Sequence, residues 1–229
     1  MLRNHRILLI GILSCFFITA SGFAWTHGSY MCIVSDAKHL MPENLQQLMD
    51  RFQSQLIRGV QETDETYLNR DDIVKEILSE SEKGITSIKK NKSYDQAVWR
   101  MGKIAKYIAN LNHPLMHTSA AENITWMTDY DIFLEKNHAH FRIRWPGQSR
   151  RPRSSTQLDH LLLESVDKTD KVSQILVKTL QTENIPINQY DVRSIPFGVG
   201  SISYSHAVSN TAMSWLYIWD QCGGVKPDK

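Results

Sequence analysis

The sequence predicts one all-α domain behind an N-terminal leader, and three observations lead there. From residue 25 onward, apolar residues recur three and four apart in roughly seven blocks, the period of amphipathic helices. The connections between blocks are short, mostly under about 12 residues, as in packed helical domains. Only one short piece, Phe141-Arg142-Ile143, alternates with the two-residue period of a strand. At 229 residues the chain can bury a sizeable core, and residues 25–229 read as a single domain.

Residues 1–24 differ from the rest. Arg3 and Arg6 make a basic start, residues 7–20 are almost wholly apolar, and Ser21-Gly22-Phe23-Ala24 supplies small residues before Trp25. This is the pattern of a secretory signal, and it places the mature chain outside the cytoplasm, secreted or periplasmic. Its removal takes two arginines and no acid, so the 26 basic residues fall level with the 24 acidic ones. A neutral mature chain carries no general electrostatic drive toward nucleic acid or membrane. Cys32 and Cys222 remain, near its opposite ends. In an oxidising compartment a disulfide is the expectation, worth on the order of 4 kcal/mol for so long a loop; two buried thiols are the alternative.

The helices follow in order. Met31, Ile33, Val34, Ala37 and Leu40 suit a helix over 29–40. Pro42 opens a second, striped by Leu45, Leu48, Met49, Phe52, Leu56 and Ile57, and the polar run 59–69 reads as a loop. Asp71 or Asp72 caps a third, reaching about Lys90 through Ile73, Ile77, Leu78, Ile85 and Ile88. After the turn Asn91-Lys92-Ser93, a fourth carries Ala97, Val98, Met101, Ile104, Ala105 and Ile108, and stops at Pro114. A fifth spans 121–137, and residues 138–155 are irregular and basic. A sixth covers 156–182, Pro186 and Pro196 break the chain, and a tryptophan-bearing helix fills 201–222. Trp99, Trp126, Trp215 and Trp219 sit at helical spacing and are expected in the core.

Chemistry concentrates at the end of the fourth helix. There Tyr107-Ile108-Ala109-Asn110-Leu111-Asn112-His113-Pro114-Leu115-Met116-His117 sets a histidine just past a proline turn. At about 100° per residue, Lys106 and Asn110 lie off the centre of the apolar stripe, where solvated or cavity-lining residues fall. Asp131 and Glu135 stand four apart, on one face of their helix. Arg142, Arg144, Trp145, Arg150, Arg151 and Arg153 form a basic, partly aromatic loop. It suits the phosphates of lipid headgroups or nucleic acid, with Trp145 inserting or stacking, or else is a solvated loop balanced by acids elsewhere. Phosphate-cradling glycine loops, dinucleotide fingerprints, paired CxxC motifs and serine nucleophile elbows are absent, which removes the enzyme classes built on them.

The Pro114-Leu115-Met116-His117 segment, together with Trp25 at the expected mature N-terminus and His27 close behind, resembles the zinc-dependent phospholipases C and the single-strand-specific nucleases that share their fold. The order and spacing of helices resemble that family over most of the mature chain. The resemblance implies an all-α fold and hydrolysis of phosphoric esters by metal-activated water, with zinc as the cofactor. It assigns Trp25 and His27 to an N-terminal metal, Asp64 to a loop carboxylate, and His117, Asp131 and Glu135 to a second metal site. Lys106 becomes a phosphate contact. The chain departs from the family pattern where Lys106 replaces a helical histidine and Asn110 a bridging aspartate, and no histidine lies between His39 and His113. Those replacements open a second expectation: a non-catalytic secreted binding protein on the same fold, gripping an anionic ligand in the same cleft.

Overall fold

The computed structural model describes residues 25–62, 69–116 and 122–224, with eight α-helices among them and no strand. In chain order these are α1 (His27–His39), α2 (Glu43–Arg51), α3 (Gln53–Gln61), α4 (Arg70–Lys89), α5 (Tyr94–Leu111), α6 (Glu122–Asn137), α7 (Ser155–Glu183) and α8 (Ile195–Gln221). Several starts are set by side-chain caps that satisfy otherwise unpaired first-turn amides. Thr26 accepts from the Ser29 N–H, Asn69 from Asp72, Ser154 from Gln157 and Ser194 from Phe197. No described helix is long and apolar enough to cross a membrane. Residues 1–24, expected to be a leader, lie outside the described residues.

α5 is the central element. Every residue from Ile104 to Leu111 is buried, because α1, α3, α4 and α8 all pack on it. α3 comes closest. A Cβ on Gly59 would lie 2.0 Å from the Trp99 carbonyl oxygen, and one on Gly102 would lie 2.1 Å from that of Leu56. Two glycines facing each other are what let these backbones touch. This contact carries α3 on through Gly59 to Gln61, where the polar composition had suggested a loop.

Other elements also depart from expectation. The helix foreseen after Pro42 is two helices, because Phe52 leaves helical geometry at φ −114°, ψ 31°. Pro196 opens α8 rather than breaking the chain, since a proline in the first turn has no amide to lose there. The helix therefore starts at Ile195 and not at Ser201. Residues 141–147 carry no regular secondary structure; their side chains alternate between buried or half-buried and exposed, and Arg144 is hydrogen-bonded to Ser205 and Ser209 of α8. Among the four tryptophans expected in the core, only Trp215 is fully buried, donating through Nε1 to the Met101 carbonyl at 2.9 Å. Trp99 is half-exposed, with Arg58, Arg100 and Lys103 each within 6 Å of its ring.

The end of α5 is fixed by buried polar contacts to α7 and α8. Ser165 donates to Asn112 Oδ1 at 2.5 Å and Asn210 donates to Ser165 Oγ at 2.7 Å. Asn112 Nδ2 closes back on the Ile108 carbonyl at 2.8 Å, and the Ser173 hydroxyl donates to the Pro114 carbonyl. The proline turn is thus held in place by its neighbours. The expected disulfide is not formed. Cys32 lies on α1 among Asp36 and Glu135, whereas Cys222 ends α8 beside the Ile85 carbonyl and the charges of Lys89 and Lys92. The two thiols belong to different environments, and burial raises the pKa of each.

Candidate functional site

A cavity of about 510 Å³ opens where the start of α1 meets α3, α5 and α6. Trp25, Thr26, His27 and Tyr30 line it from the first side, Val60 and Gln61 from α3, Lys106 from α5, and Thr128, Asp131 and Ile132 from α6. Four residues singled out in the sequence, Trp25, His27, Lys106 and Asp131, therefore face one space.

Trp25 is anchored rather than loose. Its ring is fully buried, its Nε1 donates to the Ala109 carbonyl at 2.8 Å, and its edge meets the His113 and Tyr204 rings at centroid distances of 5.1 and 6.3 Å. His27, the first residue of α1, stays exposed at the cavity rim.

Lys106 and Asn110 are buried, each 6% exposed, because α5 is surrounded on the side away from its apolar stripe as well. Both meet Tyr30. The Lys106 ammonium lies 5.4 Å from the centre of the Tyr30 ring, and the Tyr30 hydroxyl donates to Asn110 Oδ1 at 2.5 Å. The two positions that differ from the family pattern are thus joined through one tyrosine.

Asp131 is held from behind by His113, a residue to which sequence reasoning gave no role. The Leu115 amide donates to His113 Nδ1 at 3.2 Å, which makes that nitrogen the acceptor and leaves the ring proton on Nε2. Nε2 then donates to Asp131 Oδ1 at 2.7 Å. Burial raises the Asp131 pKa from its ordinary value, outweighing the opposite pull of His113 beside it. The available signal was position: His113 immediately precedes the proline whose turn orients it. Thr128 was legible in principle too, since it lies three residues before Asp131 on the same helical face.

Glu135 does not join Asp131. It is exposed, and its Oε1 would lie 2.3 Å from a Cβ placed on Gly28, so the carboxylate rests against the first turn of α1. That turn has no acid of its own, and a negative charge is favoured at a helix N-terminus. Asp64 and His117 lie outside the described residues. Among the described residues, no group of three or more His, Cys, Asp and Glu side chains is placed to hold a metal ion.

The basic loop is divided by the fold. Arg151 is buried, bonded to Asp220 at 3.1 Å and to the Gln148 carbonyl at 3.2 Å. Trp145 packs against the core, while Arg142, Arg144, Arg150 and Arg153 are exposed. Comparison with protein-family models and with curated proteins finds no match.

Proposed function

We propose that this is a secreted or periplasmic binding protein on a phospholipase C/nuclease-like helical frame. Its cavity takes a small ligand with an apolar body and a phosphate-ester or similar anionic head. One observation carries the reading: α5 delivers the Lys106 cation into a wall that also holds Asp131 and, at its rim, His27, and whose apolar part is Trp25, Tyr30, Val60 and Ile132. A cation in a mostly apolar concave site fixes the orientation and sign of charge of its ligand, while the apolar walls supply contact area. Thr26, Gln61 and Thr128 add hydrogen-bonding groups around it.

The hydrolase reading requires zinc, and the described residues at the cavity do not fit it. His27 and Asp131 face the cavity, but Asp131 Oδ1 already accepts from His113, and Glu135 sits against Gly28. Lys106 adds a positive charge beside any cation bound there. Zinc needs a compact set of nitrogen and oxygen donors, and the described residues do not form one.

The test is metal content and turnover of the mature protein purified without chelators. The binding reading expects no stoichiometric zinc and no hydrolysis of bis-nitrophenyl phosphate or phosphatidylcholine after zinc is added. Bound zinc with turnover on either substrate would replace it with the hydrolase.

A further inference from the structure

We propose that residues 141–147 form a docking strip for an extended acidic peptide, which adds alongside as a strand. The segment has the side-chain alternation of one: Phe141 is buried, and Ile143 and Trp145 pack against the core, while Arg142 and Arg144 between them are exposed. One lateral edge is already occupied. The Arg144 amide donates to Ser205 Oγ at 2.8 Å, and Ser209 Oγ donates to the Arg144 carbonyl at 2.9 Å, which pins the segment across α8.

In an extended chain both polar groups of one residue point to one edge and those of its neighbours to the other. With Arg144 bonded to α8, strand geometry puts the N–H and C=O of Ile143 and Trp145 on the opposite edge. Neither makes a hydrogen bond among the described residues. Pro146 lacks an amide and ends the register, and Gly147, at φ 91°, turns the chain away. The free edge is short and defined.

Charge selects the occupant. Arg142 and Arg144 flank that edge and enter no ion pair among the described residues, whereas the nearby Arg151 is committed to Asp220. Two guanidiniums at alternate positions match carboxylates at alternate positions of a paired strand. Main-chain bonds then give affinity and the alternating charges give selectivity. A nucleic acid or a membrane uses neither the open amides nor the alternation, and the aromatic ring that stacking or insertion would need, Trp145, is packed against the core.

The experiment is fluorescence anisotropy with the full chain and a labelled peptide of alternating glutamate and valine. Binding is expected, with a loss of about tenfold or more in R142E/R144E. A peptide N-methylated at alternate amides and a lysine–valine peptide are expected not to bind. Both arginines are exposed and outside the cavity, so circular dichroism and melting temperature of the double variant should match the parent. Lys106→Met should leave peptide binding unchanged, which separates this strip from the cavity. Equal binding of the N-methylated or lysine peptide would overturn the proposal. So would binding of oligothymidylate or phosphatidylserine vesicles in place of the acidic peptide.

Discussion

His113 Nε2 lies 2.7 Å from Asp131 Oδ1, and the imidazole is wholly inside the protein while the carboxylate reaches the cavity wall. The pair joins the turn after α5 to α6, and Trp25 closes over the ring at 5.1 Å. It fixes the back of the site and holds the Asp131 carboxylate at the cavity wall.

Removing the histidine should therefore hurt more than neutralising the acid. His113→Ala leaves a buried carboxylate unpaired beside a new void and is expected to cost about 3 kcal/mol. Asp131→Asn keeps an oxygen to accept from Nε2 and should cost about 1 kcal/mol. Urea denaturation of the two variants reads the order directly; equal losses would contradict it.

Glu80 predicts an acid-side loss of stability. This carboxylate is 2% exposed and accepts from Arg100 at 2.6 Å, Lys83 at 2.9 Å and Lys103 at 3.3 Å. Burial pushes its pKa up, but the hydrogen bonds from Lys83 and Arg100 and the charges of Lys103 and Arg100 outweigh it, so the net value is lowered. A folded value below the unfolded one means stability present above the ordinary glutamate range and lost as pH falls through the folded value. Glu80→Gln should lower stability at neutral pH by about 1–3 kcal/mol and flatten that acid limb, as followed by melting temperature against pH.

The glycine contact between α3 and α5 should tolerate no side chain. Gly59→Ala or Gly102→Ala places a methyl against backbone carbonyl oxygen, which cannot rotate away, and each is expected to cost about 3 kcal/mol or more. Val60, Gln61 and Lys106 sit on the same two helices, so ligand affinity should fall with stability. Ala variants as stable as the parent would show that the helices can part without cost.

The thiols should behave independently of redox state. Cys32 and Cys222 are free, so reductant should leave the melting temperature unchanged, and thiol titration of denatured residues 25–229 should find both reactive. A reductant-sensitive melt would indicate a crosslink.

Local pattern carried much of the helical frame, and contact between distant segments decided the rest. The stop at Pro114 was legible because it acts within a turn of its own helix, whereas the caps were misplaced: α4 is capped by Asn69, with Asp71 and Asp72 inside its first turn, and α7 by Ser154, which had read as irregular. The break at Phe52 was not, since the apolar stripe runs unbroken through it. Gly59 read as a loop residue because its reason for being small is Gly102, far along the chain. Lys106 and Asn110 looked polar by helical angle, and only the surrounding helices show that both are buried. Trp25, His27, Lys106 and Asp131 were singled out through a resemblance, but for two separate metals and a phosphate contact and not for one shared cavity. His113 gave no sign of its role beyond its place before Pro114, because its partner Asp131 lies on another helix. Arg151 illustrates the same limit, since its partner Asp220 lies at the far end of α8.

Calorimetric titration of octyl phosphate into the mature protein tests the account most directly, with octanol as the uncharged control. The account predicts saturable binding of octyl phosphate, weaker or no binding of octanol, and a drop of about tenfold or more in Lys106→Met with partial retention in Lys106→Arg. Unchanged octyl phosphate affinity in a folded Lys106→Met variant, or equal affinity for octanol, would contradict it.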